Sequence, residues 1–317
     1  MKKEKFSYDV STITGFTDQV GGMLLSESLV GANTPKFSNV RLGIKGTQAV
    51  NLLTSDLAVQ DGACGWSQSG TTSFTQVNLA TCPSRVNESF CPDALYGTYQ
   101  SLLLAPGQTE EVIPFEQMIA DLKVKQIQDH IETKLWGATE ASGDCFDGFK
   151  TLISTGHTGV GNSNGTQFSS AAAYGTAGNP ITEVDGLINA LSDDAMSRDD
   201  LNVFMSYANF RLYVQALTKE NFYADYIKEA NITGNMIAQH PNSNVMVRPT
   251  KGLNGSQQVV IAPKEYTIVG FDLLSDSEQF DIWWSRDNDE VRFRANFNYG
   301  AVIPTFSTIY FATNNLA

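Results

Sequence analysis

In the stretch "LNVFMSYANFRLYVQAL", Leu201 to Leu217, a serine closes a short apolar run and an amphipathic stretch begins at once. Strand, serine, helix is the layout in which α/β enzymes expose a nucleophile, so Ser206 is the first residue to test. A strained nucleophile turn needs small neighbours, G-x-S-x-G, whereas this chain reads "FMSYA". A serine nucleophile also needs a base, and the three histidines, His130, His157 and His240, lie in no context that marks one. Ser206 is better suited to capping, because its hydroxyl can accept an orphan amide of the first helical turn. Phe210, Val214 and Leu217 then form the buried stripe of that helix.

The other candidate chemistries thin out in the same way. Cys64, Cys82, Cys91 and Cys145 form no CxxC pair and have no histidine at ligand spacing, which favours free thiols over a zinc site. The acidic run "LSDDAMSRDD" lacks the glycine and closing glutamate of a calcium loop and reads as a solvated connection. "GVGNSNG" fits no GxGxxG register, and no Lys-Ser/Thr pair follows it, so a surface loop is expected there. "IWWSRDNDEVRFR" sets two tryptophans beside three arginines, a pattern that could bind through aromatic and cationic groups. On alternating strands the simpler arrangement turns the tryptophans inward and the arginines outward. No set of residues for hydrolysis, phosphoryl transfer or redox chemistry survives, and no metal or cofactor is expected.

The elements that must position these residues belong to an ordinary globular chain of 317 residues, 42% hydrophobic and 10% aromatic. No run approaches a membrane span, and "MKKEKFSYDVSTITG" lacks the apolar core of a secretory signal. The net charge of −13 argues against a dedicated nucleic-acid binder. Residues 1–50 carry six Lys/Arg against four Asp/Glu, or +2, which leaves −15 on the remainder.

Residues 1–60 show little periodicity and read as an extended arm. Residues 61–95, rich in Ser, Thr, Gly and Asn, read as a long projecting β-hairpin with a turn near Pro83. Next, "PFEQMIADLKVKQIQDHIETKLWG" places Phe115, Ile119, Leu122, Ile127, Ile131 and Leu135 at three- and four-residue steps with one slip. Pro114 and Glu116 suit its start and Gly137 its stop, which gives a helix of roughly 34 Å. His130 falls among its polar positions. Residues 156–180 read as a low-complexity loop, and "ITEVDGLINALSDDAM" reads as one helix. The rest is β-rich and ends on a strand with Val291, Phe293, Ala295 and Phe297 on one face and Arg292 and Arg294 on the other.

In this order the motifs resemble the major capsid proteins of tailed bacteriophages, the Hong Kong 97 fold. "IPFEQMIADLKVKQIQDHIETKLWG" with "CFDGFKTLI" resembles that family's spine helix and its exit. "LNVFMSYANFRLYVQAL" resembles the strand and capped helix of its axial domain, and "MVRPTKG", "YTIVGFDL" and residues 280–314 resemble its closing strands. The surroundings of Pro114, Trp136 and Phe149 are similar to capsid proteins of crAss-like phages. The resemblance implies an α+β fold with an N-terminal arm (1–60), an extended hairpin loop (61–95) and a peripheral domain (96–157) whose spine helix spans 114–136. It further implies an axial domain (158–275) and closing peripheral strands (276–317).

The implied function is non-enzymatic: self-assembly through hexamers and pentamers into an icosahedral head, built in the bacterial cytoplasm around double-stranded DNA. Portal, scaffolding or decoration proteins are the implied partners, and no membrane is involved. Two alternatives stay open, an encapsulin-type compartment shell and an α/β hydrolase using Ser206. The chain also departs from the family. Some members join subunits through an isopeptide bond from a hairpin lysine, but no lysine occurs here between Lys45 and Lys123. Subunits are therefore expected to separate fully in boiling detergent, and a ladder of covalent multimers on a gel would contradict this.

Overall fold

The computed structural model describes residues 32–56, 59, 62, 70–91, 115–159, 167–169, 180–189, 191–220, 237–241, 243–272, 280–288, 290–305 and 310–313. Its strands are β1 (Asn39–Leu42), β2 (Thr47–Ser55), β3 (Thr72–Ala80), β4 (Cys82–Phe90), β5 (Gln167–Ser169), β6 (Leu201–Met205), β7 (Ala238–Gln239), β8 (Met246–Pro249), β9 (Val259–Pro263), β10 (Ile268–Asp272), β11 (Phe280–Ser285), β12 (Glu290–Val302) and β13 (Tyr310–Thr313). Four helices longer than two turns accompany them: α1 (Phe115–Gly137), α2 (Phe149–Gly159), α3 (Pro180–Asn189) and α4 (Tyr207–Lys219). The fold is mixed α+β.

Three sheets form. One runs β1-β10-β12-β11, with β4 also paired to β12; the second runs β5-β13-β9-β6-β8-β7; the third is a ribbon of β2 and β3 alone. In the first sheet, Val291, Phe293, Ala295, Phe297 and Tyr299 alternate inward along β12 and meet α1 and α2. In the second, every residue of β6 is buried, as befits a central strand covered on both faces. Its core joins Val203 and Ile261 to Val184 and Leu187 of α3 and to Tyr213 and Leu217 of α4.

α1 has the expected 23 residues, and its buried stripe includes the expected Ile127, Ile131 and Leu135 but not Leu122, while the side chains of Phe115 and Ile119 lie outside the described ones. Ala120, Val124, Ile127, Ile131 and Leu135 face the core in steps of four, three, four and four, whereas Leu122 is 53% exposed. From Ala120 onward the stripe has no slip: it runs through that small residue, and Leu122 lies about 200° around the helix from it. Pro114 lies outside the described residues. The single helix expected over residues 181–196 is two, because Ser192 caps a separate turn, Asp193–Met196, by accepting the Ala195 amide at 3.3 Å.

Four further expectations are corrected. The ribbon is made by β2 and β3, in antiparallel register from Thr47↔Ala80 to Ser55↔Thr72. It is not a hairpin within residues 61–95, and residues 39–42 and 47–55 form strands rather than a loose arm. Pro83 does not sit in a turn between paired strands. It is the second residue of β4, opposite Asn298 of β12, where the chain leaves the ribbon for the main sheet. The cysteines are not all free thiols: Cys82 and Cys145 form a disulfide with Cα atoms 6.1 Å apart. Spacing could not show this, because the partners are 63 residues apart and only the fold brings them together. Cys91 is exposed and outside any disulfide, and Cys64 lies outside the described residues.

The parts meet at a buried polar junction on α1. The Glu132 carboxylate accepts the Thr34 amide at 2.8 Å and the Thr34 hydroxyl at 2.5 Å, and the Trp136 indole N–H donates to that same hydroxyl oxygen at 2.7 Å. Burial pushes the Glu132 carboxyl above its ordinary pKa, and the Thr34 donors oppose that shift. Trp136, 1% exposed, also packs on Phe149 of α2 and Phe204 of β6 at ring separations of 5.5 and 5.4 Å.

Glycines let the backbone come this close. A Cβ at Gly252 would lie 2.4 Å from both the Glu132 carbonyl oxygen and the Trp136 ring, and one at Gly148 would lie 2.7 Å from the Trp136 backbone. A Cβ at Gly137 would meet nothing within 4 Å. Gly252→Ala should therefore cost about 1–3 kcal/mol of stability, whereas Gly137→Ala should stay within about 0.5 kcal/mol of the parent. Urea midpoints measure both, and equal effects would refute the account of the junction.

Candidate functional site

The feature that most needs a partner is the ribbon. Its two nine-residue strands, "TQAVNLLTS" and "TSFTQVNLA", contain no charged residue. Soluble proteins usually protect such a strand pair with lysines or a covering element, because unpaired edges invite another chain. Here Leu53 and Phe74 are direct cross-strand partners and so share a face, yet they are 58% and 78% exposed. This places a large apolar pair on a bare ribbon.

The ribbon's root, by contrast, is fixed. Ile44, Val50 and Leu79 pack on Ile268 and Val302 of the main sheet. The floor beneath them is the cross-strand pair Gly270↔Gly300. A Cβ on Gly300 would lie 2.1 Å from the Ala80 carbonyl oxygen, and one on Gly270 would lie 2.9 Å from Ile44 and Leu79. The Thr81 amide donates to the Gly46 carbonyl at 2.8 Å, and Gly43 and Gly46 take φ of 77° and 83° to turn the chain into the ribbon.

The outer face of the main sheet carries a groove of about 470 Å³ lined by Arg85, Glu88, Trp283, Glu290, Arg292 and Arg294, among others. Trp284 pairs with Val291 and packs on the core, as expected of an inward tryptophan. Trp283 departs from that expectation. It pairs with Arg292 and therefore faces outward beside it. Arg292 is held by Glu290 at 2.9 Å, and Arg85 donates to Asn296 at 3.1 Å. Within the sheet the Lys123 ammonium, on α1, meets the Glu88 carboxylate and hydrogen-bonds Gln126 at 3.2 Å. The groove therefore has mixed charge, which suits a polar protein surface better than a run of phosphates.

Ser206 is placed as a cap. It is 1% exposed, has φ −67° and ψ 157°, and its hydroxyl accepts the Asn209 amide at 3.2 Å. His240 is engaged elsewhere: its Nδ1 lies 2.9 Å from the Tyr213 hydroxyl and its Nε2 lies 2.7 Å from Asp185. With the carboxylate as acceptor, Nε2 carries the proton and Nδ1 accepts from the tyrosine, so the ring ties α3 to α4. His130 is exposed on α1, and the His157 side chain lies outside the described ones. In the acidic connection, Arg198 makes a two-point bond to Asp200 at 2.9 and 3.0 Å and reaches Glu265 at 2.7 Å. These bonds hold the Asp200 carboxyl below its usual range. Sequence reasoning missed the Thr34–Glu132 contact and the Gly270–Gly300 floor. "GF" and "YG" in neighbouring strands were the only local signs of the floor.

No family model matches the sequence. No curated protein matches it either. Solved structures do. A chain from the satellite phage P4 procapsid including the size determination protein aligns over 98% of this chain and 93% of its own, at 12% identity and a TM-score of 0.57. A chain from the capsid of an empty GTA particle aligns over 89% of each chain, at 11% identity and a TM-score of 0.57. A chain from Microbacterium phage Oxtober96 aligns over 89% and 90%, at 14% identity and a TM-score of 0.52. The fold is therefore similar to that of chains from phage and GTA capsids. Among the described residues no helix is long and apolar enough to cross a membrane.

The buried histidine yields a pH prediction. Desolvation holds His240 below its ordinary pKa, with Asp185 opposing the shift. Between the folded value and about 6.5, the unfolded chain takes up a proton that the folded chain refuses. Stability should thus fall as pH drops through about 6.5, with the full penalty present below the folded value. Urea midpoints for the parent and His240→Gln should diverge least at acid pH. A gap that does not change with pH would contradict the buried neutral ring.

Proposed function

We propose that this protein is the major capsid protein of a tailed, double-stranded DNA bacteriophage, with the Hong Kong 97 architecture. The observation that carries the reading is the likeness to capsid chains over nearly the whole length of both partners, 98% and 93% in the P4 case. The bare ribbon supports it independently. Beyond its root, a monomer gains nothing from a ribbon whose two nine-residue strands are uncharged and expose Leu53 and Phe74, whereas a shell of repeated subunits can bury them.

In this reading α1, α2 and the five-stranded sheet form the peripheral domain, and the six-stranded sheet with α3 and α4 forms the axial domain. The β2–β3 ribbon is the extended loop, and residues before Ala32 belong to the arm. The protein acts through surfaces and not as an enzyme. Copies of itself, in hexamers and pentamers, are its main partners; portal, scaffolding or decoration proteins would join them, and packaged DNA lies nearby without specific contacts. Assembly occurs in the cytoplasm of a bacterial host.

Electron microscopy of the purified full chain tests this: regular shells or capsomers are expected. Gly300→Ala, which drives a methyl into the Ala80 carbonyl, should keep the β-rich circular dichroism spectrum and lose the shells. A parent protein that stays a small monomer under all assembly conditions overturns the reading.

A further inference from the structure

The Cys82–Cys145 bond joins three parts of the molecule at one point. Cys82 follows Thr81 directly, so it is the first residue of the main sheet after the ribbon's root. Cys145 lies in the loop that leaves the C-terminal end of α1. Its residue is exposed, whereas Cys82 is 9% exposed. External thiols and disulfides can therefore reach the bond most readily from the Cys145 side, since Cys82 is enclosed.

The loop around Cys145 is held without the bond. Lys134 pairs with Asp144 at 2.5 Å, Asp144 also accepts the Thr139 amide at 3.1 Å, and the Gly148 amide donates to the Ala138 carbonyl at 2.9 Å. Phe146 sits edge-on to Tyr299 with centroids 5.2 Å apart, which fixes the loop to β12 beside Cys82. Burial there pushes the Tyr299 phenol up to about 12. The two cysteines are thus kept within bonding reach by contacts that do not depend on the bond, at a Cα separation of 6.1 Å that a disulfide can span.

We propose that Cys82 and Cys145 form a redox latch: a dithiol in a reducing cytoplasm, and a disulfide that pins the ribbon's root once the protein meets oxidising surroundings. The exposed Cys145 thiolate attacks a small-molecule disulfide such as oxidised glutathione, forming a mixed disulfide and releasing one thiol. The Cys82 thiolate then attacks the Cys145 sulfur and releases the second thiol. Two protons and two electrons leave the protein, and the external disulfide is reduced to two thiols. The reverse path begins with an external thiolate at Cys145. With the latch open, the first residues of β4 can move with the ribbon. With it closed, movement is confined to Thr81 and the left-handed glycines Gly43 and Gly46.

The cytoplasmic start and later oxidation rest on the capsid reading; the latch itself does not. The test therefore uses unassembled full-length protein, reduced with dithiothreitol and reoxidised with oxidised glutathione. Reoxidation should remove two alkylatable thiols, assigned to Cys82 and Cys145 by peptide mass, while the circular dichroism spectrum stays folded in both states. The oxidised form should have an unfolding equilibrium constant lower by about three orders of magnitude, the chain-entropy effect of closing a loop of this length. Amide exchange over residues 79–85 should be faster in the reduced form. Cys145→Ser, at the exposed position, should match the reduced parent and ignore the oxidant. Folded protein whose Cys82 and Cys145 both stay alkylatable after oxidation overturns the latch, as does a Cys145→Ser variant that keeps the parent's response. Shell formation is scored separately by microscopy, so failure of the latch and failure of the capsid reading give different results.

Discussion

The architecture depends on one buried carboxylate. Glu132 is 3% exposed in the middle of a contact made by α1, the segment around Thr34 and the turn at Gly252. A carboxylate at such a site is costly unless its oxygens find donors, and Thr34 supplies two of them. The requirement runs both ways. Thr34 must be presented with its amide and hydroxyl pointing at α1, which fixes where the chain enters the body before β1. The same hydroxyl accepts from Trp136, and Trp136 touches both α2 and β6. One hydrogen-bonded triad therefore sets the mutual placement of the long helix, the entering segment and the six-stranded sheet.

A second contact strengthens that placement. Phe37, three residues beyond Thr34, lies under the Arg248 guanidinium at 3.6 Å, and Arg248 also donates to Asn202 of β6 at 2.7 Å. The segment is thus wedged between α1 and the second sheet. A rigid body of this kind is what a projecting ribbon requires. A two-stranded ribbon has no core of its own, so its direction is set by the root on which it stands. Here that root is the Gly270–Gly300 floor of the main sheet.

The sequence showed what is periodic and local. The length of α1, the alternation of β12, the buried run of β6 and the cap at Ser206 all follow from spacing within about twenty residues. The ribbon did not, because both of its faces are largely exposed and its strands lack the apolar alternation that a half-buried strand shows. Its partners are also separated by sixteen residues, 56–71, so no short turn announced them. The tryptophan pair was half legible. Alternation requires Trp283 and Trp284 to face opposite ways, and only Trp284 is inward. The disulfide and the Glu132 contact were not legible at all, since each joins residues more than sixty positions apart whose types are ordinary in isolation.

The body and the ribbon differ in how their groups are engaged. The polar groups most able to act are already engaged inside the body: Ser206 with an amide, His240 with Tyr213 and Asp185, and Glu132 with Thr34. The ribbon, by contrast, leaves backbone edges and the apolar side chains of Leu53 and Phe74 on the surface. Such groups do no bond-making chemistry. Their free energy falls only when another surface removes them from water. On the ribbon, Leu53 and Phe74 are therefore the groups that gain most from contact with a further surface.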